Sequence, residues 1–511
     1  MVPSDPSDLA DRAAFDDSLA RHGLVLSGSE ADSVYQLALW MSQGIAGLDT
    51  TPVATPIPTD VLALGLIEQG QRLRDGSLTS VRLVQAHLDR IDARDPVYRA
   101  FYHLSADRAL ADAARADAEL AEGRDRGPLH GIPVGIKDLI DVAGLPTTAD
   151  APGRANSIAG ADAAVVDRLL AGGAVLMGKL ATYEWGTVGP DKGGLFPPAR
   201  NPWNPDHITG GSSSGCAVAV AGGLLRTTIG TDTGGSLRGP AFYCGVVGLK
   251  PTFGSVANEG VLPMAESMDH VGPISASVVE AAVTLDVIGG LSGQRSALRL
   301  LGQPIAGLRI GYARNWFARD PQTMPAVLQT MDAAMSTLSE LGAVIAEIEL
   351  PDYPAIEVAA AAILHRESFD YHANDLRDRP QDYGRRAFLS LAAGVGVSDA
   401  QLSASRQAGA RFRAEVDGLL GAHDAIVTVG ALTTALLAAP FEKEAVWTPM
   451  RTIGFNVSGH PVLAVPIGFH DGLPMGMQII GRHHDEARIV QIGDAFERAT
   501  DHSLQHPAPP G

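Results

Sequence analysis

ITGGSSSGCAVAVAGGLLRTTIGTDTGGSLRGPAFYCGVVGLKPT, running from Ile208 to Thr252, is the stretch from which the fold is read. It holds two glycine–serine clusters, GGSSSG (Gly210 to Gly215) and GTDTGGS (Gly230 to Ser236). Between them, Cys216 to Arg226 is small and apolar enough for a short helix packed tightly under a sheet, and Thr227 to Gly230 reads as a strand. Glycines beside each serine let the backbone adopt positive φ and present N–H groups to a bound group. Two such loops bracketing one buried helix point to a site rather than to a pair of turns.

Working outward, HGIPVGIKDLIDV (His130 to Val142) contains a short apolar run, Ile132 to Ile136, that reads as a buried strand with Lys137 at its end. A serine hydroxyl is a weak nucleophile until a base removes its proton. No histidine lies between Ile208 and Thr252, so a base must come from elsewhere. A free lysine, with a pKa of ~10.4, is protonated at neutral pH. Burial lowers a lysine pKa by up to roughly 3–5 units, and the end of an apolar strand is where that happens.

These segments resemble the amidase signature family, marked by a GGSS(G/S)G loop, a small-residue helix, GTDTGGS(I/L)R and a GLKPT strand. HGIPVGIKDLIDV is similar to the same family's lysine motif, and SMDHVGPI (Ser267 to Ile274) also resembles it. Weaker similarity runs from about Thr59 to about Ala499. The resemblance implies a catalytic set of Lys137 as base, Ser212 as a bridging serine after a cis peptide bond, and Ser236 as nucleophile. It implies an oxyanion hole from the backbone N–H groups of Thr233, Gly234, Gly235 and Ser236. Asp232, Arg238, Ser213 and Asp269 are expected to support these groups, and Tyr183, Gly189 and Gly211 to border the substrate. The implied activity is cleavage of the C–N bond of a linear amide, aryl amide or carbamate through an acyl-enzyme, with neither metal nor organic cofactor. One departure from the family is VGALTTALLAAP, where a T-P-T-like segment is usual; it bears on the substrate, not on catalysis.

A rival lies within the same residues. Gly211 to Gly215 reads G-x-S-x-G, which would make Ser213 a nucleophile-elbow serine with His270 or His460 as partner. Two other readings stay open: a glutaminase subunit of a tRNA-dependent amidotransferase, which needs a partner protein, and a catalytically silent binding module on the same fold. His483-His484-Asp485 looks like a ligand cluster but precedes a helix, where Asp485 suits a cap. His130 reads as a packed residue. Tyr183, Glu184 and Trp185, with Gly189 to Pro198, read either as the mouth of the site or as packing.

A chain of 511 residues with 45% hydrophobic content and 57 glycines is ordinary for an α/β enzyme. The formal net charge of −19 opposes nucleic acid or an anionic membrane as principal partner. A small-molecule substrate and a monomer or homodimer are expected. The longest apolar runs are too short to span a bilayer. The acidic N-terminus has no signal-peptide pattern, and Cys216 and Cys244 suit reduced thiols of a cytoplasmic protein.

The expected fold is an α/β/α sandwich, a mixed sheet flanked by helices, with a helical N-terminal extension. Residues 1–57 form the extension, with helices at Asp8 to Leu19 and Ala31 to Ile45 and a proline-rich linker from Thr50. Residues 58–500 form the main domain, and 501–511 a disordered tail. Along the main domain the pattern predicts helices at Ala161–Ala171, Val278–Gly289, Pro325–Leu341 and Asp485–Ala499. Strands are predicted at Ala174–Lys179, Gly307–Ala313, Val344–Leu350 and Asp424–Val429. Ser80 is expected to cap a helix, and Pro354 to Leu420 to be mostly helical.

Overall fold

A computed structural model describes residues 12–21, 26–36, 60–443, 446 and 448–510. Alternating short apolar runs and amphipathic helices assemble around one sheet, because each apolar face needs a covering layer. Eleven strands form it: β1 (Phe101–Leu104), β2 (Pro133–Lys137), β3 (Val175–Leu180), β4 (Thr227–Asp232), β5 (Val247–Lys250), β6 (His270–Ser275), β7 (Arg309–Tyr312), β8 (Val344–Glu347), β9 (Ala425–Val429), β10 (Val462–His470) and β11 (Leu473–Ile480). Their order is β1-β3-β2-β4-β6-β5-β10-β11-β9-β7-β8. β3, β2 and β4 run parallel, as do β9, β7 and β8, while the strands between β4 and β9 pair antiparallel. The expected mixed sheet with flanking helices is therefore present.

The helix predicted between the serine loops spans Ser214–Ala221, and every one of its residues is buried. Small side chains let it lie against the strand ends. A Cβ on Gly215 would sit 2.3 Å from the Ala181 nitrogen, so only glycine fits. The long helical region resolves into Tyr353–Asp378, Arg385–Ala392 and Asp399–Ala422. The last of these carries a reciprocal capping box between Ser398 and Gln401.

Several boundaries differ for local reasons. The helix Ser80–Tyr98 is capped by Thr79, whose side chain accepts from the Arg82 N–H. Ser80 instead donates to the Gly131 carbonyl at 2.7 Å, tying that helix to the approach to β2. β1, absent from the sequence reading, is a four-residue half-buried edge strand with little alternation to detect. Arg238–Cys244, read only as part of the motif, is a fully buried helix ended by Gly245 at φ 68°. Beyond residue 500, His502–Leu504 makes a helical turn. The His502 ring lies 6.1 Å from that of Phe496.

By contact the chain divides into units 1–57 and 58–511. In the first, a helix spans Arg12–Arg21 and another covers residues 28–36, joined by Arg12 to Asp32 and by the rings of Phe15 and Tyr35 at 5.3 Å. The remainder of the helix read to Ile45 and the proline-rich linker lie outside the described residues.

Candidate active site

Lys137, the last residue of β2, has no exposed surface. Its Nζ donates to Ser212 Oγ at 2.8 Å and to Thr231 Oγ1 at 2.8 Å. Burial is the dominant influence and lowers its pKa to about 7, against smaller raising effects that include the charges of Asp232 and Asp269. The amine therefore sits near half-ionisation at neutral pH, with a hydroxyl in hydrogen-bond reach. The peptide bond Gly211–Ser212 is cis. Thr231 was not singled out from sequence. It lies inside GTDTGGS, but only the parallel pairing of β2 with β4 brings it beside the lysine.

The second serine loop leaves β4 at Asp232. Ser236 is half-buried and borders a cavity of about 120 Å³ together with Gly234, Gly235, Tyr183, Gly211 and Gly189. Its Oγ has no hydrogen-bond partner among the described residues. Ser212 borders a second cavity of about 380 Å³, and the two cavities share Gly186 and Met264. Ser236 thus borders one cavity, and Ser212, bonded to the lysine, borders the other.

One expected oxyanion donor is already engaged. The Gly235 N–H donates to Asp232 Oδ1 at 2.8 Å, so it is not available to a substrate. The reason is the demand of a buried carboxylate: Asp232 also accepts from the Leu237 N–H, from Arg238 and from Asn456. Burial alone would raise its pKa, but the Arg238 charge and these bonds hold it well below the usual carboxylate range. Arg238, fully buried, further donates to the Thr452 carbonyl, Gln478 and Asn456. The pair fastens the loop to the end of β11 and to the residues before β10. Thr233, Gly234 and Ser236 remain the candidate donors. Thr233 is fixed by its Oγ1 donating to Asp269 Oδ1 at 2.5 Å. Asp269 also accepts from the N–H groups of Met264 and Ala265, and burial raises its pKa to about 6. Thr452, missed from sequence, donates to the Gly234 carbonyl at 2.6 Å and completes the loop's support.

Ser213 does not fit the elbow reading. It is wholly buried, and its Oγ donates to the Thr231 carbonyl at 3.1 Å and accepts from the Thr231 N–H. His270 is buried against the Met268 carbonyl, and His460 lies between Ser458 and Asp417. Neither histidine is bonded to a serine of the loops.

Tyr183 explains two of the glycines expected at the site. A Cβ on Gly211 would lie 2.1 Å from its Cε2, and one on Gly189 2.5 Å from its Cγ. Tyr183 faces the cavity, whereas its neighbours pack. Glu184 accepts from the Gly384 N–H at 2.9 Å, and Trp185 meets the His372 ring edge-on at 4.5 Å. In the segment VGALTTALLAAP, which departs from the family pattern, none of Leu432 to Ala439 lines the cavity beside Ser236. Ala435 is instead part of the core, and Leu437 to Ala439 border a different cavity. His130 is the packed residue it was read as, accepting from the Arg126 N–H. Asp485 precedes its helix without a side-chain capping bond. His483 packs on His460 at 4.2 Å near Asp417, where Arg413, 3.9 Å from that carboxylate, already supplies positive charge.

The amidase family profile matches residues 82–490, and the chain belongs to the amidase signature family. It is an enzyme of the class acting on C–N bonds. One relative is a subunit of the glutamyl-tRNA(Gln) amidotransferase of Chloroflexus aurantiacus, 36% identical over 476 residues, with 85% of this chain and 96% of that one covered. The native peptide amidase of Stenotrophomonas maltophilia superposes with a TM-score of 0.76 and 31% identity, over 89% of this chain and 99% of that. A bacterial aryl acylamidase shares the fold, with a TM-score of 0.77, 23% identity, and coverage of 86% and 97%. Among the described residues, no helix is long and apolar enough to cross a membrane.

Proposed function

We propose that the protein hydrolyses linear amides, aryl amides or carbamates through an acyl-enzyme on Ser236, with Ser212 relaying a proton to Lys137. The observation that carries this is a wholly buried amine, with its pKa brought to about 7, bonded to Ser212 Oγ at 2.8 Å. As Ser236 Oγ forms its bond to the carbonyl carbon, its proton passes to Ser212, and that of Ser212 to the neutral Lys137. The resulting oxyanion is met by N–H groups of the Thr233–Ser236 loop, the kind of donor whose loss costs on the order of 10²–10³ in rate. Return of the proton through Ser212 to the leaving nitrogen breaks the C–N bond. Water then attacks the ester by the same route, releasing the acid and Ser236.

Kinship with an amidotransferase component favours a second reading, glutamine hydrolysis within a complex. Glutamine carries an α-carboxylate that a desolvated site must pair. Among the described residues lining the cavity beside Ser236 there is no lysine or arginine. That lining supports hydrolysis of other amides.

In a panel of anilides, carbamates, peptide amides and fatty amides, the purified chain is expected to turn over at least one class without ATP or tRNA. Ser236→Ala should abolish that turnover with an unchanged circular dichroism spectrum, and Ser213→Ala should lose far less. The opposite ranking of the two variants would restore the elbow mechanism. Turnover of glutamine alone, and only with a partner protein, would favour the second reading.

A further inference from the structure

We propose that His460, His483 and Asp417 form a binding site for one divalent ion of the zinc type, apart from Ser212 and Ser236. The inference does not depend on the hydrolase reading above.

Three separate elements bring these side chains together. Asp417 lies on the helix Asp399–Ala422, His460 just before β10, and His483 between β11 and the helix Glu486–Ala499. One ligand atom from each lies within 4.8 Å of the other two. His460 Nε2 is 3.1 Å from Asp417 Oδ1. Metal bonds of about 2.0–2.1 Å set tetrahedral ligand atoms roughly 3.4 Å apart, so that pair already stands near a ligand spacing. His483 completes the set with a shift of no more than roughly 1.5 Å. Two imidazoles and one carboxylate are a donor set that suits Zn²⁺ and its neighbours Co²⁺ and Ni²⁺. His460 has no exposed surface, and its Nδ1 is 2.9 Å from Ser458 Oγ. With Nε2 on the ion, Nδ1–H donates to that hydroxyl, the kind of bond that fixes the ring of a metal-binding histidine. His483 Nε2 is buried and has no hydrogen-bond partner. A buried polar atom left in that state is costly, and coordination satisfies it.

The existing partners of these groups leave room for the ion. Arg413 meets Asp417 only at Oδ2, 3.9 Å away, and leaves Oδ1 to the histidine. Lys250 donates to the His460 carbonyl, and burial pushes its amine toward the neutral form. Asp417 is half-exposed, which gives the ion a path and a water a place in the fourth position. Of the run His483-His484-Asp485, only His483 belongs to the set: His484 is exposed with Nδ1 3.3 Å from Ser255 Oγ, and Asp485 accepts from Arg299. None of the three ligands lines the cavity beside Ser236 or the one beside Ser212, so the ion's part is structural. His460 follows the short helix Gly454–Ser458, whose Asn456 donates to Asp232. The ion therefore pins the turn that supports the second serine loop to the helix Asp399–Ala422.

The test titrates the metal-free, untagged full-length chain with Co²⁺ and then with Zn²⁺. One equivalent of Co²⁺ should give the strong visible absorption of a four-coordinate site, and one equivalent of Zn²⁺ should displace it. Zn²⁺ held at about 100 times its Kd should shift the urea unfolding equilibrium about 100-fold toward the native state. His483→Ala and Asp417→Asn, both at positions that are not fully buried, should each cost more than the ~10–100-fold in affinity that loss of an outer partner costs. His484→Asn, a residue tolerant of the positive φ of 63° found there, should bind as wild type does. Binding at one equivalent that both ligand variants lose and the His484 variant keeps is the expected result. Absence of stoichiometric binding, binding that survives in both ligand variants, or its loss in His484→Asn would overturn the proposal.

Discussion

Replacing Lys137 with methionine, an apolar side chain of similar length, is expected to destroy turnover and yet stabilise the fold at neutral pH. In an unfolded chain the lysine titrates at about 10.4, whereas in the folded protein its pKa is lowered to about 7. Between these values the unfolded state binds the extra proton, so wild-type stability rises with pH across that window. At about 1.4 kcal/mol per pH unit, keeping the amine uncharged costs the native state about 4 kcal/mol at pH 7. Methionine removes that cost but leaves the Ser212 and Thr231 hydroxyls without their partner. Those lost bonds are worth about 1 kcal/mol each. The variant should then be more stable than wild type by about 2 kcal/mol at pH 7. The advantage should vanish near pH ~9 and reverse above it. Equilibrium urea unfolding of both proteins at pH 7, 8 and 9.5 measures this, because titrations elsewhere cancel in the difference. A variant less stable at pH 7, or a difference that does not change with pH, would show that the amine is not held neutral by burial.

The same amine shapes the pH–rate profile. Since the base must be uncharged, kcat/KM should rise about tenfold per pH unit below pH ~7 and level off above it. Thr231→Val removes an acceptor that favours the ammonium, so the acid limb should move to lower pH while the maximal rate falls; an unmoved limb would separate Thr231 from the base. Arg238→Met strands the buried Asp232 carboxylate and should cost about 3–5 kcal/mol in urea unfolding. A loss below 1 kcal/mol would mean that the Asn456 and backbone donors suffice.

Local chemistry decided much of this protein before any folding was considered. Small residues in Ser214–Ala221, glycine at the loops and an apolar run ending in Lys137 each leave a mark on consecutive positions. From these the mixed sheet, the buried lysine and the two serine loops were legible, since burial and backbone freedom follow from neighbours along the chain. What the sequence could not convey is which distant groups meet. Thr231 beside Lys137 depends on strand pairing, and the support of the Gly234 carbonyl by Thr452 spans 218 positions. The engagement of the Gly235 N–H by Asp232 depends on a local turn whose direction is set by Arg238 and Asn456. Tyr353 and Leu364 lie in a helical stretch without motif, and that they line the cavity beside Ser236 appears only once that helix is laid over it. Propensity and burial act through near neighbours, whereas hydrogen bonds and charge act through space, and only packing brings those partners together.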